Sequence, residues 1–314
     1  MSAIGTTIDM DVLDMDALDA VRIPYEALAG AKGMLRDGET KLLHMLARDH
    51  AVPGTELVDL GAFTGGSARA MGSGLKARAD AETFFRRIHS YDLFLANGPI
   101  YRRVLLETVE EGDSFLPHYM HNIRPWADFI NVYPGDFLGY RWIGRPIFLL
   151  FVDISKSPEL DRHVWREFVP WIEPGGSLMV QQDFVHIQAP YVHVALGHFI
   201  EHFDVLGLAD SSLLMRYRDA IPAERLDEGF ELATKGTFQA KLEALDRLTE
   251  RTGHVVGREA AATLELTKCK MAIGEGRHDW AREVHERVKE GSADIANPHF
   301  KARVDHIGKA LGQG

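Results

Sequence analysis

From residue 40 to residue 220, short apolar runs alternate with longer amphipathic stretches. The runs Glu56–Leu60, 87–91, 129–133, Ile147–Val152 and 177–180 have the length and composition of strands. Ile147–Val152 is apolar without alternation, the mark of a strand covered on both faces. Between these runs the spacing predicts helices over Gly66–Lys76, 101–110 and 160–169, the last with Ser157 as N-cap and Pro158 and Glu159 in its first turn. A further helix is predicted over 191–202. Strand alternating with helix predicts an α/β fold built on a doubly wound, mostly parallel sheet.

The rhythm then changes. Two short strand-like runs, 203–206 and 213–217, are separated by a connection containing Gly207, Asp210, Ser211 and Ser212. That connection is too short for a helical crossover, so the pair is expected to be antiparallel, ending a seven-stranded sheet in a hairpin. Beyond residue 221 the spacing predicts helices over 240–251, 259–273, 278–290 and 298–311, with Gly274-Glu275-Gly276 turning one helix back on the next. One such hairpin does not make a repeat array, and a helical cap or oligomerisation element is the expectation. Residues 1–40 are acidic and weakly periodic and read as an N-terminal arm with a short helix, or a lid, with a core domain over 41–220 and a helical region over 221–314.

Of the 314 residues, 46% are hydrophobic and 26% charged, the balance of a globular chain. The 46 acids outnumber the 35 Lys and Arg, for a formal charge of −11, which disfavours nucleic acid and anionic membrane as partners. The single cysteine, Cys269, excludes an intrachain disulfide and a cysteine-based zinc cluster. The first basic residue, Arg22, comes after Asp9, Asp11, Asp14, Asp16 and Asp19, unlike the basic start of a secretory signal. The longest apolar run, Ile147–Val152, is too short to span a bilayer, so a cytoplasmic location is expected.

In an open α/β sheet, ligands bind outside the carboxyl ends of the strands, where strand order reverses. The residues just past each run are therefore informative. The first run leads into Gly61-Ala62-Phe63-Thr64-Gly65-Gly66-Ser67; the next four lead to Asp92, Asp136, Asp153 and Gln182-Asp183. Any one acid could serve only as a turn residue or N-cap, but four along one edge suggest a binding rim. A dinucleotide fingerprint needs G-x-G-x-x-G, and here Phe63 stands at its second glycine, which counts against a nicotinamide or flavin cofactor.

The stretch from Val58 to Ser67 resembles the first motif of class I S-adenosylmethionine-dependent methyltransferases. Asp92 matches their ribose-binding acid, and Pro174-Gly175-Gly176-Ser177 matches the turn into their fifth strand. More narrowly, Gly65-Gly66-Ser67, Asn131-Val132-Tyr133-Pro134-Gly135-Asp136, Phe151-Val152-Asp153 and Gln181-Gln182-Asp183-Phe184 resemble the macrocin O-methyltransferase-like group. That group includes magnesium-dependent enzymes that methylate sugar hydroxyls of natural products. The resemblance covers about residues 55–220 and implies the Rossmann-like methyltransferase fold. It also implies S-adenosylmethionine as donor and a small glycosylated or polyhydroxylated acceptor, with a homo-oligomer expected.

By that resemblance the donor site comprises Asp59, Gly61, Gly65, Ser67, Asp92 and Asp136. The two glycines would let backbone approach the methionine part, Asp92 would accept from the ribose hydroxyls, and Asp136 or its neighbourhood would lie beside the adenine. A sulfonium donor is electrostatically compatible with an acidic rim, and methyl transfer gains chiefly from alignment. Asp153, Gln182 and Asp183 would hold magnesium, and Asp153, Asp183 and His186 would carry catalysis. Two departures stand out. Gln182 replaces an acid of the metal-dependent members, and Ser155 stands where they tend to place a general base, leaving His186 as the candidate base.

The segments 119–126 and Tyr140-Arg141-Trp142 could line an acceptor pocket or simply belong to the core, and 278–289 reads as a solvated helix face. His198-Phe199-Ile200-Glu201-His202 matches H-x-x-E-H, which on a continuous helix would let His198 and His202 bind zinc with Glu201 as base. A zinc hydrolase, a nicotinamide oxidoreductase and a non-catalytic binding or scaffold protein on the same fold are thus the competing readings.

Overall fold

Seven strands form one mixed sheet in the order β3-β2-β1-β4-β5-β7-β6. They are β1 (Glu56–Leu60), β2 (Ile88–Asp92), β3 (Ile130–Pro134), β4 (Ile147–Val152), β5 (Leu178–Gln181), β6 (Phe203–Ala209) and β7 (Ser212–Tyr217). The pairings among β1 to β5 are parallel, and β6 pairs antiparallel with β7. The α/β reading with a terminal hairpin therefore holds. The structure is a computed structural model and describes residues 15–23, 34–97 and 109–312. The helix predicted over 101–110 and most of the N-terminal arm lie outside the described residues.

The chain divides into two compact units, Met1–Ile154 with Glu167–Gln182 and Ser155–Arg166 with Asp183–Gly314. In the first unit, every residue of β1 and β4 is buried; β4 is continuously apolar, as a strand covered on both faces requires, while β1 buries Glu56 and Asp59 as well. Helix α1 (Asp37–Met45) opens with Glu39 reaching back to the Arg36 N–H, a hydrogen bond of 2.8 Å. It packs on α2 (Gly66–Lys76), and a Cβ at Gly74 would collide with the His44 carbonyl. Only glycine lets these two helices approach so closely. The third helix, α3 (Leu116–Ile123), buries Tyr119 and Ile123.

In the second unit, α4 (Pro158–Glu167) is followed by α5 (Pro190–Phe199), whose Gly197 meets the Ala244 carbonyl. Ala244 lies on α7 (Phe238–Thr252), preceded by α6 (Glu228–Lys235). The Thr237 hydroxyl caps α7 by accepting from Ala240 N. The expected helical hairpin is α8 (Arg258–Gly274) and α9 (His278–Gly291), turned at Gly276 with φ +72°. With α10 (Pro298–Ala310) it encloses Leu266, Cys269, Val284, Phe300 and Ile307. In the β6–β7 hairpin, Asp210 takes the left-handed conformation (φ +52°), which a two-residue hairpin turn favours.

Candidate functional site

The register of the parallel strands aligns Leu60 with both Tyr91 and Val152, and Val152 with Gln181. The next residue on each strand is therefore also in line: Asp92, Gly61, Asp153 and Gln182, about 4.8 Å apart from strand to strand. Strand order reverses between β1 and β4, so this row lies at the crevice where such sheets bind ligands.

Gly61 occupies the middle of the row with φ +95°, and a Cβ there would lie 2.6 Å from the Asp153 carbonyl oxygen. Both the conformation and the contact demand glycine. Its N–H and that of Ala62 donate to the Tyr91 carbonyl, turning the chain across the end of β2. Phe63 comes next with φ +44°, a strained conformation for a bulky residue. It is held by its own N–H, which donates to Asp92 Oδ2 at 2.8 Å, and by its ring, set edge-on to Phe115. Asp92 Oδ1 accepts from Phe94 N at 2.7 Å. One buried carboxylate thus ties the exits of β1 and β2 together.

Gly65, at φ +93°, completes the loop; a Cβ there would lie 2.9 Å from Ile123 Cγ2. Asn122 donates its side-chain amide to the Thr64 carbonyl at 2.9 Å, so α3 braces the loop from outside. The glycines in this sequence motif are visible without a structure, but the supporting role of Asn122 carries no local signal. Helix α2 begins at Gly66 and brings its N-terminal N–H groups to the loop.

Asp59 and Ser67, both expected at the donor, bond to each other. Asp59 is fully buried; Ser67 Oγ donates to its Oδ1 at 2.7 Å and Ser90 Oγ to its Oδ2 at 3.0 Å. Desolvation pushes the Asp59 pKa up to about 7, with the two hydroxyls opposing and Asp92 adding to the rise. Burial beside this acid also drives the Tyr119 phenol well above its ordinary value. These residues form an internal strut beneath the loop. Asp136 is exposed and accepts from Leu138 N at 3.0 Å, capping a single turn at Phe137–Gly139.

In the second unit, Asp183 adopts φ +63° and its carboxylate accepts from Lys156 Nζ at 2.6 Å. Its carbonyl accepts from His186 N at 2.8 Å. His186 is exposed at its surface but crowded by protein; that partial desolvation lowers its pKa below the ordinary 6.5, against the raising effect of Asp183. Ser155 is buried and donates to Asp161 Oδ1 at 2.7 Å, so it is part of an internal pair. Sequence reasoning missed Lys156, although it is the single basic residue between Asp153 and Glu159 in an otherwise acidic edge.

The expected magnesium ligands do not fit that ion. Magnesium requires a near-octahedral set of oxygens at 2.0–2.1 Å. Here Asp183 already receives an ammonium group, and Gln182 brings no charge. Among the described residues, no group of three or more His, Cys, Asp or Glu side chains could hold a metal ion. The zinc motif is likewise dispersed. Helix α5 ends at Phe199 and a 3-10 turn succeeds it, so His198 and His202 lose the shared face. His198 Nε2 pairs with Glu228 Oε2 at 2.9 Å, and His202 Nδ1 lies 3.1 Å from the Asp219 carbonyl.

Among the described residues, no helix is long and apolar enough to cross a membrane. No family model and no curated protein matches the chain. Among solved structures, one described as the O-methyltransferase NovP is similar over 61% of this chain and 84% of that chain, with 16% identity and a TM-score of 0.47.

Proposed function

We propose that the chain is an S-adenosylmethionine-dependent methyltransferase acting on an oxygen of a small glycosylated or polyhydroxylated molecule. The observation that carries this reading is the row Asp92, Gly61, Asp153 at the strand ends, with Asp92 pre-set by two backbone donors. Carboxylate oxygens carry two lone pairs each, so an acid held in this way can accept from a ribose diol while keeping its backbone bonds. The acids of the rim suit a sulfonium cation, and the N-terminus of α2 suits the carboxylate of the donor's methionine part.

In the transfer, the acceptor oxygen forms a bond to the methyl carbon as the carbon–sulfur bond breaks. That electron pair neutralises the sulfonium. The hydroxyl proton passes to the His186 imidazole and then to water. The chain's contribution is chiefly alignment: Gly61 and Gly65 admit the donor's backbone-like part, while Asp92 fixes its rotation. A homo-oligomer belongs to the same reading.

Calorimetry with S-adenosylhomocysteine tests this assignment. Saturable binding is expected, weakened by at least about ten- to a hundredfold in Asp92→Ala, the size of a lost hydrogen bond to a charged group, because the same change also frees the Phe63 and Phe94 amides. A parent protein that binds neither donor nor product overturns it.

A further inference from the structure

Two groups of opposite charge meet where the resemblance implies a divalent cation. Lys156 Nζ lies 2.6 Å from Asp183 Oδ2, the distance of a charge-assisted hydrogen bond. Neither partner is presented by a loose segment. Asp183 sits in a left-handed turn closed by His186 N on its own carbonyl at 2.8 Å, and the adjoining Phe184 N donates to the Ser211 carbonyl at 2.9 Å. On the other side, the residue before Lys156 is held at both ends: the Ser155 hydroxyl donates to Asp161, and the Ser155 carbonyl accepts from Tyr191 Oη at 3.0 Å. Pro158 then starts α4 two residues later, limiting the backbone further.

We propose that Lys156 is the resident cation of the acceptor site and that this chain works without a divalent metal. The inference rests on the methyltransferase reading above. A magnesium ion on Asp183 would have to displace the ammonium or sit beside it, like charge against like charge. It would do so with Gln182 supplying an amide where an acid would help. An ammonium also binds differently from a metal. It donates directional hydrogen bonds to one oxygen and does not chelate two. The acceptor class it fits is one presenting a single hydroxyl or an anionic oxygen; a vicinal diol is not required. Lys156 thus contacts the acceptor oxygen directly, orients it and favours its loss of a proton.

The full-length protein, stripped with a chelating resin, is titrated with manganese and bound metal is followed by electron paramagnetic resonance. S-adenosylhomocysteine affinity is measured on the same sample with and without chelator. The parent is expected to bind no stoichiometric manganese and to keep its product affinity unchanged by chelator. The double variant Lys156→Ala/Gln182→Asp is expected to bind manganese roughly ten- to a hundredfold more tightly than the parent, a span typical of changes around a metal's ligands. One manganese per parent chain, bound no more weakly than by the variant, overturns the proposal. Absence of product binding instead strikes the methyltransferase reading, so the two failures are separate. The parent measurement stands even where a variant does not fold.

Discussion

Ser67 Oγ, on the first turn of α2, donates to Asp59 Oδ1 across 2.7 Å in the interior of the first unit. The bond joins the end of β1 to the helix beyond the glycine loop, and Ser90 adds a second donor from β2. Burial raises the Asp59 pKa from 3.8 to about 7. Asp161, buried in the second unit between Ser155 and Trp165, is raised to about 7 for the same first reason. A folded-state pKa above the unfolded one means that the folded chain binds more protons between about pH 4 and 7. Stability present below that window is lost as pH rises through it. Urea midpoints are expected to fall across this range and to fall less in Asp59→Asn or Asp161→Asn. Equal slopes in parent and variants would show that neither acid is buried as described.

Two glycines with the same backbone twist separate strain from collision. Gly54 has φ +89° and open space around a would-be Cβ, whereas Gly61 has φ +95° and the Asp153 carbonyl oxygen at 2.6 Å. Gly54→Ala is expected to cost about 1–2 kcal/mol, the left-handed penalty alone. Gly61→Ala adds overpacking and is expected to cost roughly 2–5 kcal/mol. Chemical denaturation of both variants checks this, and equal losses would contradict the close approach of loop and β4.

The exposed imidazole of His186 gives a pH signature. A base must be neutral to take a proton, and desolvation, helped by Lys156 and Arg303, holds its pKa below 6.5 against Asp183. With a methyl acceptor in hand, kcat/KM is expected to rise with pH through a midpoint on the acid side of 6.5. His186→Gln should remove that limb and lower the plateau by about a hundredfold or more. A variant with the parent's pH profile would dismiss His186 as the base.

Much of the sheet was readable from residue pattern. Glu56–Leu60 and Ile147–Val152 have the bounds expected; the second begins and ends with its apolar run, whereas the first also buries Glu56 and Asp59. β2, β3 and β5 each lie one residue later than expected, ending at Asp92, Pro134 and Gln181. Backbone pairing there continues past the last apolar side chain, which side-chain pattern cannot reveal. Helices α1, α3 and α6 were not anticipated; each is only 8–9 residues long, too short for a clear period. At the site, the acids just past the strands and the glycines of the loop were legible. The bond between Asp59 and Ser67 was not, because a motif names residues without saying which of them face each other. Nor was the Lys156–Asp183 pair, whose members are separated by 27 positions.

Asp92 receives the amides of Phe63 and Phe94 with its two oxygens. Whoever wishes to retune this protein toward another cosubstrate will meet a consequence of that arrangement. Recognition and scaffolding share a single side chain, so replacing it would unfasten the very turn that the new molecule needs. Redesign should therefore leave this acid untouched and begin with its neighbours.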